Sequence, residues 1–127
     1  MSEQILVIGS CGQLGTELVE SLRNIYGNSN VIASDIRQSD DEVFKAGPFE
    51  ELDILNKQQF TDILNKYKPS QVYHLAALLS ATAEAKPKLG WSLNMDGLFN
   101  VLDAAVDLKS AKYTGQVLLL FSVLLLR

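Results

Sequence analysis

Seven residues, Gly9-Ser10-Cys11-Gly12-Gln13-Leu14-Gly15, place three glycines three positions apart directly after the apolar run Ile5-Leu6-Val7-Ile8. A turn of this kind between a strand and a helix is built to take a phosphate. The first glycine allows the tight turn, the second lets a pyrophosphate reach the backbone, and the third lets the helix pack close on the strand. The amides that open the following helix add free N–H donors and a partial positive charge. No Lys-Ser or Lys-Thr pair follows the glycines, which excludes a mononucleotide P-loop. Asp35 stands twenty residues beyond Gly15, at the end of a second apolar run, Val31-Ile32-Ala33-Ser34. A carboxylate there accepts the two hydroxyls of a ribose and repels a 2′-phosphate, so the pattern favours NAD over NADP, with Arg37 as the one nearby cation that would favour the phosphate.

These residues need a sheet to hold them. Leu14, Leu18, Leu22 and Ile25 recur at helical spacing and predict an amphipathic helix through Tyr26, ended by Gly27-Asn28. Residues 38–48 are polar and read as a loop or a loose helical turn, and Phe49 to Leu52 as a short third strand. Phe60, Ile63, Leu64 and Tyr67 mark a second helix stopped at Pro69, followed by a fourth strand from Gln71 to Ala77. A loop or short helix spans Leu78 to Lys88. Leu93, Gly97, Leu98, Val101, Leu102, Ala105 and Leu108 form a third helical stripe, in which Phe99, like Trp91, is expected to pack. A fifth strand starts at Gln116. Strand and helix alternate throughout, predicting an α/β fold: a Rossmann-like, doubly wound parallel sheet of about five strands, incomplete at its C-terminal side, with helices on both faces.

In such a sheet the ligand lies at the carboxyl ends of the strands where their order reverses. The glycine turn then faces the segment after the fourth strand, where Ser80 and Thr82 offer hydroxyls that suit either a small polar substrate or a helix cap. His74, inside a strand, is expected to be packed rather than catalytic, and a redox role for Cys11 would require a lowered thiol pKa.

Composition sets the remaining bounds. The 127 residues fit one domain, with 47% hydrophobic and 20% charged residues. A net charge of −4 without a basic run argues against nucleic acid as a partner. One cysteine and one histidine argue against a disulfide or a structural metal. Met-Ser-Glu-Gln runs straight into the first strand without a basic leader, and the apolar stretch Val117 to Leu126 is half the length of a spanning helix. A cytoplasmic setting without membrane attachment is the expectation.

The chain resembles the extended short-chain dehydrogenase/reductase superfamily, which includes the NAD-dependent epimerases and dehydratases. Within it, the segments Val31 to Arg37, Gly47-Pro48-Phe49, His74 to Glu84 and Leu93-Asn94-Met95 are most similar to the short-chain type of L-threonine 3-dehydrogenase. The resemblance implies NAD as cofactor. It implies contacts from Gly9, Cys11, Gly12, Gln13, Leu14 and Gly15 to the pyrophosphate, from Asp35, Ile36 and Arg37 to the adenosine ribose, and from Asp53 and Ile54 to the adenine. Leu75, Ala76 and Ala77 would line the nicotinamide side, Asn94 would support the cofactor pocket, and Ser80 would approach the amino-acid substrate, L-threonine. A homodimer is a further implication. The alternatives are a UDP-sugar epimerase or dehydratase and a non-catalytic NAD-binding or interaction module.

The departures concern catalysis. The superfamily's base is a Tyr with a Lys four residues later, yet Tyr26, Tyr67, Tyr73 and Tyr113 are followed at that spacing by Asn30, Gln71, Ala77 and Val117. Ser122 matches the first of two adjacent hydroxyl residues after the fifth strand, but Val123 takes the catalytic second place, so no catalytic residue is assigned. The expectation is an NAD-binding domain, residues 1–127, without its substrate domain and inactive by itself.

Overall fold

The computed structural model describes residues 4–75, Lys88, 95–97, 99–103 and 116–119. Five strands form one sheet: β1 (Ile5–Ile8), β2 (Val31–Asp35), β3 (Phe49–Glu51), β4 (Gln71–His74) and β5 (Gln116–Leu119). Every pairing is parallel and the order is β3-β2-β1-β4-β5. The order reverses at β1, as a doubly wound sheet requires, so the turn after β1 and the carboxyl end of β4 share one crevice edge.

Alternation along β1 and β2 divides the core into two layers. Leu6, Ile8 and Ile32 face a layer completed by Leu52, by Phe60, Ile63 and Leu64 of helix α3 (Lys57–Tyr67), and by Val101 of the helical stretch at 99–103. Ile5, Val7, Val31 and Ala33 face the other layer, closed by Val19 and Leu22 of helix α1 (Gln13–Tyr26) and Phe44 of the one-turn helix α2 (Glu42–Lys45). Helices thus cover both faces of the inner strands, and continuous apolar runs in the sequence are the consequence.

Several expectations need correction. In α1 the buried face is Gly15, Val19, Leu22 and Arg23, whereas Leu14 is 51% and Ile25 72% exposed. The rotation is set by Gly15, because a Cβ there would stand 2.8 Å from Ser10 Cα and collide with Gly9 O; no leucine can take that place. The fourth strand ends at His74 rather than Ala77, although Leu75 N still donates to Ile8 O. Leu52 leaves β3 but donates to Asp35 O. Phe99 is 52% and Leu102 38% exposed, contrary to the packing expected of them. Trp91, Leu93, Leu98, Ala105 and Leu108 lie outside the described residues.

At the amino end of the sheet, Arg23 is 4% exposed and its guanidinium donates to three carbonyls, Val31 O, Val43 O and Pro48 O. Burial lowers its pKa. Gly47 lies flat against this group; a Cβ there would meet Arg23 Cζ at 2.9 Å. Across β3, Glu50 takes Lys66 Nζ at 2.8 Å and Tyr67 Oη at 2.5 Å, which tie the strand to α3. Burial raises its carboxyl pKa, and those two donors more than reverse the effect.

Candidate functional site

The glycine turn leaves β1 at Gly9, whose φ of 87° suits only a residue without a side chain. Gly9 N and Ser10 N both donate to Ser34 O at 2.9 Å, hooking the turn onto β2. The Thr16 hydroxyl, one turn into α1, lies 2.8 Å from Gly12 O and 3.1 Å from Ser10 O, closing the turn from the helix side. Gly12, Gln13 and Leu14 remain exposed at the helix start. No side chain caps that start and no acid stands in its first turn. Gly12 and Gly15 therefore differ in kind. Gly15 is required by the protein's own packing, whereas a Cβ on Gly12 would meet nothing nearer than Gly9 O at 3.8 Å. The second glycine is free of steric demand from the described protein atoms, as expected where a ligand is to occupy the space.

Asp35 ends β2 beside this turn. One carboxylate oxygen accepts Cys11 N at 2.8 Å and the other Ile36 N at 2.7 Å, so the acid is clamped to the turn and still presents free lone pairs. The Cys11 thiol lies 3.3 Å from Arg37 O. Burial, and then the negative charge of Asp35, push its pKa up to about 11, so the lowered value that a redox role requires is absent. Ile36 and Arg37 are exposed at the same edge.

Asp53 and Ile54 follow β3 and are joined to the Asp35 corner through Leu52 N. Asp53 N donates to Gln59 Oε1 at 2.7 Å, and its carboxylate accepts Leu55 N at 3.0 Å. Ile54 packs on the core, and its carbonyl accepts Asn100 Nδ2 at 2.8 Å. Leu75 is half-buried after β4. His74 is buried as expected, with Nδ1 unpartnered among the described residues and burial lowering its pKa. Ala76, Ala77, Ser80, Asn94 and Ser122 lie outside the described residues. Ser10, Ser34, Thr16, Gln59 and Asn100 hold the site without having been expected from residue type; a serine inside the buried run Val31–Asp35 is the available signal for one of them.

A parallel sheet with an open glycine turn at its reversal point, and an acid clamped beside that turn, is the arrangement of a dinucleotide site. The NAD dependent epimerase/dehydratase family matches residues 5–122. The chain belongs to this family. Among curated relatives, an uncharacterised epimerase/dehydratase of Staphylococcus saprophyticus is 45% identical over 113 residues, covering 88% of this chain and 35% of that protein. One of Staphylococcus haemolyticus is 50% identical over 104 residues, covering 81% and 33%. The chain thus spans about a third of the length of the curated relatives it matches. Among solved structures, L-threonine dehydrogenase from Clostridium difficile superposes with a TM-score of 0.84 at 43% identity, over 93% of this chain and 36% of that one. The GalE-like L-threonine dehydrogenase from Cupriavidus necator, in its holo form, gives 0.75 at 39%, over 80% and 32%. NAD is the cofactor of the family, and the sterically unconstrained Gly12 with the uncapped helix start fits it. Among the described residues no helix is long and apolar enough to cross a membrane.

Proposed function

We propose that these 127 residues are the NAD-binding part of an L-threonine 3-dehydrogenase, which oxidises the β-hydroxyl of L-threonine to give 2-amino-3-ketobutyrate. The observation that carries the substrate is the contrast among structural relatives. L-threonine dehydrogenases superpose at 39% and 43% identity, while a nucleoside-diphosphate-sugar epimerase from Agrobacterium tumefaciens, at 21%, shares the fold alone.

In this reading the amides of Gly12, Gln13 and Leu14, which open the uncapped helix, receive the diphosphate, with Gly9, Cys11 and Gly15 shaping the turn. Asp35 accepts the ribose hydroxyls, Ile36 and Arg37 flank that sugar, and Asp53 and Ile54 border the adenine. Leu75, Ala76 and Ala77 line the nicotinamide side, Asn94 supports the pocket, and Ser80 hydrogen-bonds the amino acid. Bound NAD supplies the hydride acceptor for such an oxidation. The hydroxyl proton needs a base, and the 127 residues contain no Tyr-x-x-x-Lys. The chain therefore binds NAD without turning it over.

The test has two arms. Calorimetry with NAD should show one site, lost in Gly12→Val, and NADH should not accumulate when L-threonine is added. Saturation-transfer NMR on the NAD-loaded chain should then detect L-threonine, weakened in Ser80→Ala. A signal from UDP-glucose instead of L-threonine would move the assignment to the sugar-nucleotide enzymes, and absence of NAD binding would remove it altogether.

A further inference from the structure

We propose that Ser10 and Ser34 are positioning residues for the diphosphate: a buried pair of hydroxyls that sets the glycine turn in its binding geometry before any ligand arrives. The inference rests on the dinucleotide reading of the turn and adds to it the device that holds the amides in place.

Both serines are 0% exposed, where an unpaired hydroxyl would be costly. Neither is unpaired. Ser10 Oγ donates to Val7 O at 2.9 Å and accepts Ser34 N at 3.0 Å, so one hydroxyl bridges β1 to β2. Ser34 Oγ donates to the same Val7 carbonyl at 2.8 Å, and Ser34 O takes the amides of Gly9 and Ser10. All three polar groups of Ser34 are thus committed to β1 and the turn that leaves it. The next residue along each chain segment completes the lock, since Cys11 N is held by Asp35 Oδ2.

The described contacts leave Gly12, Gln13 and Leu14 exposed while fixing every residue from Gly9 to Cys11 that leads into them. A turn held in this way loses little conformational entropy when a diphosphate docks. Releasing the hydroxyl bridge leaves the strands in register and the amides of Gly9, Ser10 and Cys11 on their acceptors, but frees Ser34 from its side-chain ties to Val7 and Ser10 and so loosens the carbonyl on which the turn hangs.

The experiment compares two ligands, NAD and adenosine, on the full chain, with fold monitored by circular dichroism and thermal melting. Calorimetry reads NAD and NMR competition reads adenosine, which has the ribose and base but no phosphate. In Ser10→Ala, which orphans Ser34 N, NAD affinity should fall about tenfold while adenosine changes far less. Ser34→Ala keeps that amide paired and should show a smaller loss with the same selectivity, which decides the matter if Ser10→Ala does not fold. Equal weakening of both ligands, or unchanged NAD affinity in folded variants, would overturn the inference. A wild-type chain that binds adenosine but not NAD would remove the diphosphate site itself.

Discussion

The two ends of the sheet use the same device for different purposes. At the amino end, Arg23 reaches under β2 and satisfies the carbonyls of Val31, Val43 and Pro48, while Gly47 presses against its guanidinium. A further hydrogen bond, Gln4 Nε2 to Asn30 Oδ1 at 3.0 Å, secures the same end. At the carboxyl end, the Ser10 and Ser34 hydroxyls hold Val7 O and Ser34 N and the Asp35 carboxylate takes Cys11 N, while the Ser34 carbonyl takes Gly9 N and Ser10 N, and the capture stops there. The next three residues stay exposed. Side-chain capture of the backbone closes one end and leaves donors in reserve at the other. The amino end serves stability, and the carboxyl end spends its order on a ligand.

Substitutions should therefore divide by end. The largest effect is expected from Arg23→Met, which takes the guanidinium donor from three carbonyls, of which Pro48 O keeps Ala33 N; unfolding free energy should drop by about 3 kcal/mol in denaturant titration. NAD affinity of the protein that remains folded should not change. A parallel loss of affinity would break the comparison.

Asp35→Ala should do the opposite. Calorimetry should show NAD binding weakened on the order of a hundredfold, and the preference over NADP lost, because the ribose hydroxyls lose a charged acceptor and a 2′-phosphate meets no opposing charge. The melting temperature should move little. A large fall in stability with affinity preserved would make Asp35 a turn clamp and nothing more.

The smallest effect concerns His74, which sits at the carboxyl end yet faces the core. Burial lowers its pKa from 6.5, so the native state resists a proton that the unfolded chain accepts. Stability should be fully present above pH 6.5, decline as pH falls below that value, and level off once the native histidine also titrates. In His74→Gln this part of the pH dependence should disappear from thermal melts. Its persistence would assign the slope to carboxylates.

The sequence made the carboxyl end more legible than the amino end. Glycine spacing, the apolar run before it and an acid at the right distance are all matters of residue type, and their relation to the fold needs no knowledge of side-chain direction. The rotation of α1 was not legible, because leucines signal burial more strongly than a glycine does, yet Gly15 makes the close contact and leaves Leu14 and Ile25 outside. Arg23 was hidden for a related reason: a charged residue reads as solvated unless the three carbonyls that receive it are known. Ser10 and Ser34 hide likewise, since a hydroxyl in a turn and one at a strand end look ordinary until both are seen on Val7 O.

Amide-resolved NMR during an NAD titration tests the central claim most directly. The account predicts the largest shifts at residues 9–15 and 35–37, with Val31, Gly47 and the amides around Arg23 unmoved. Shifts centred on the amino end, or a turn whose resonances do not respond to saturating NAD, would contradict it.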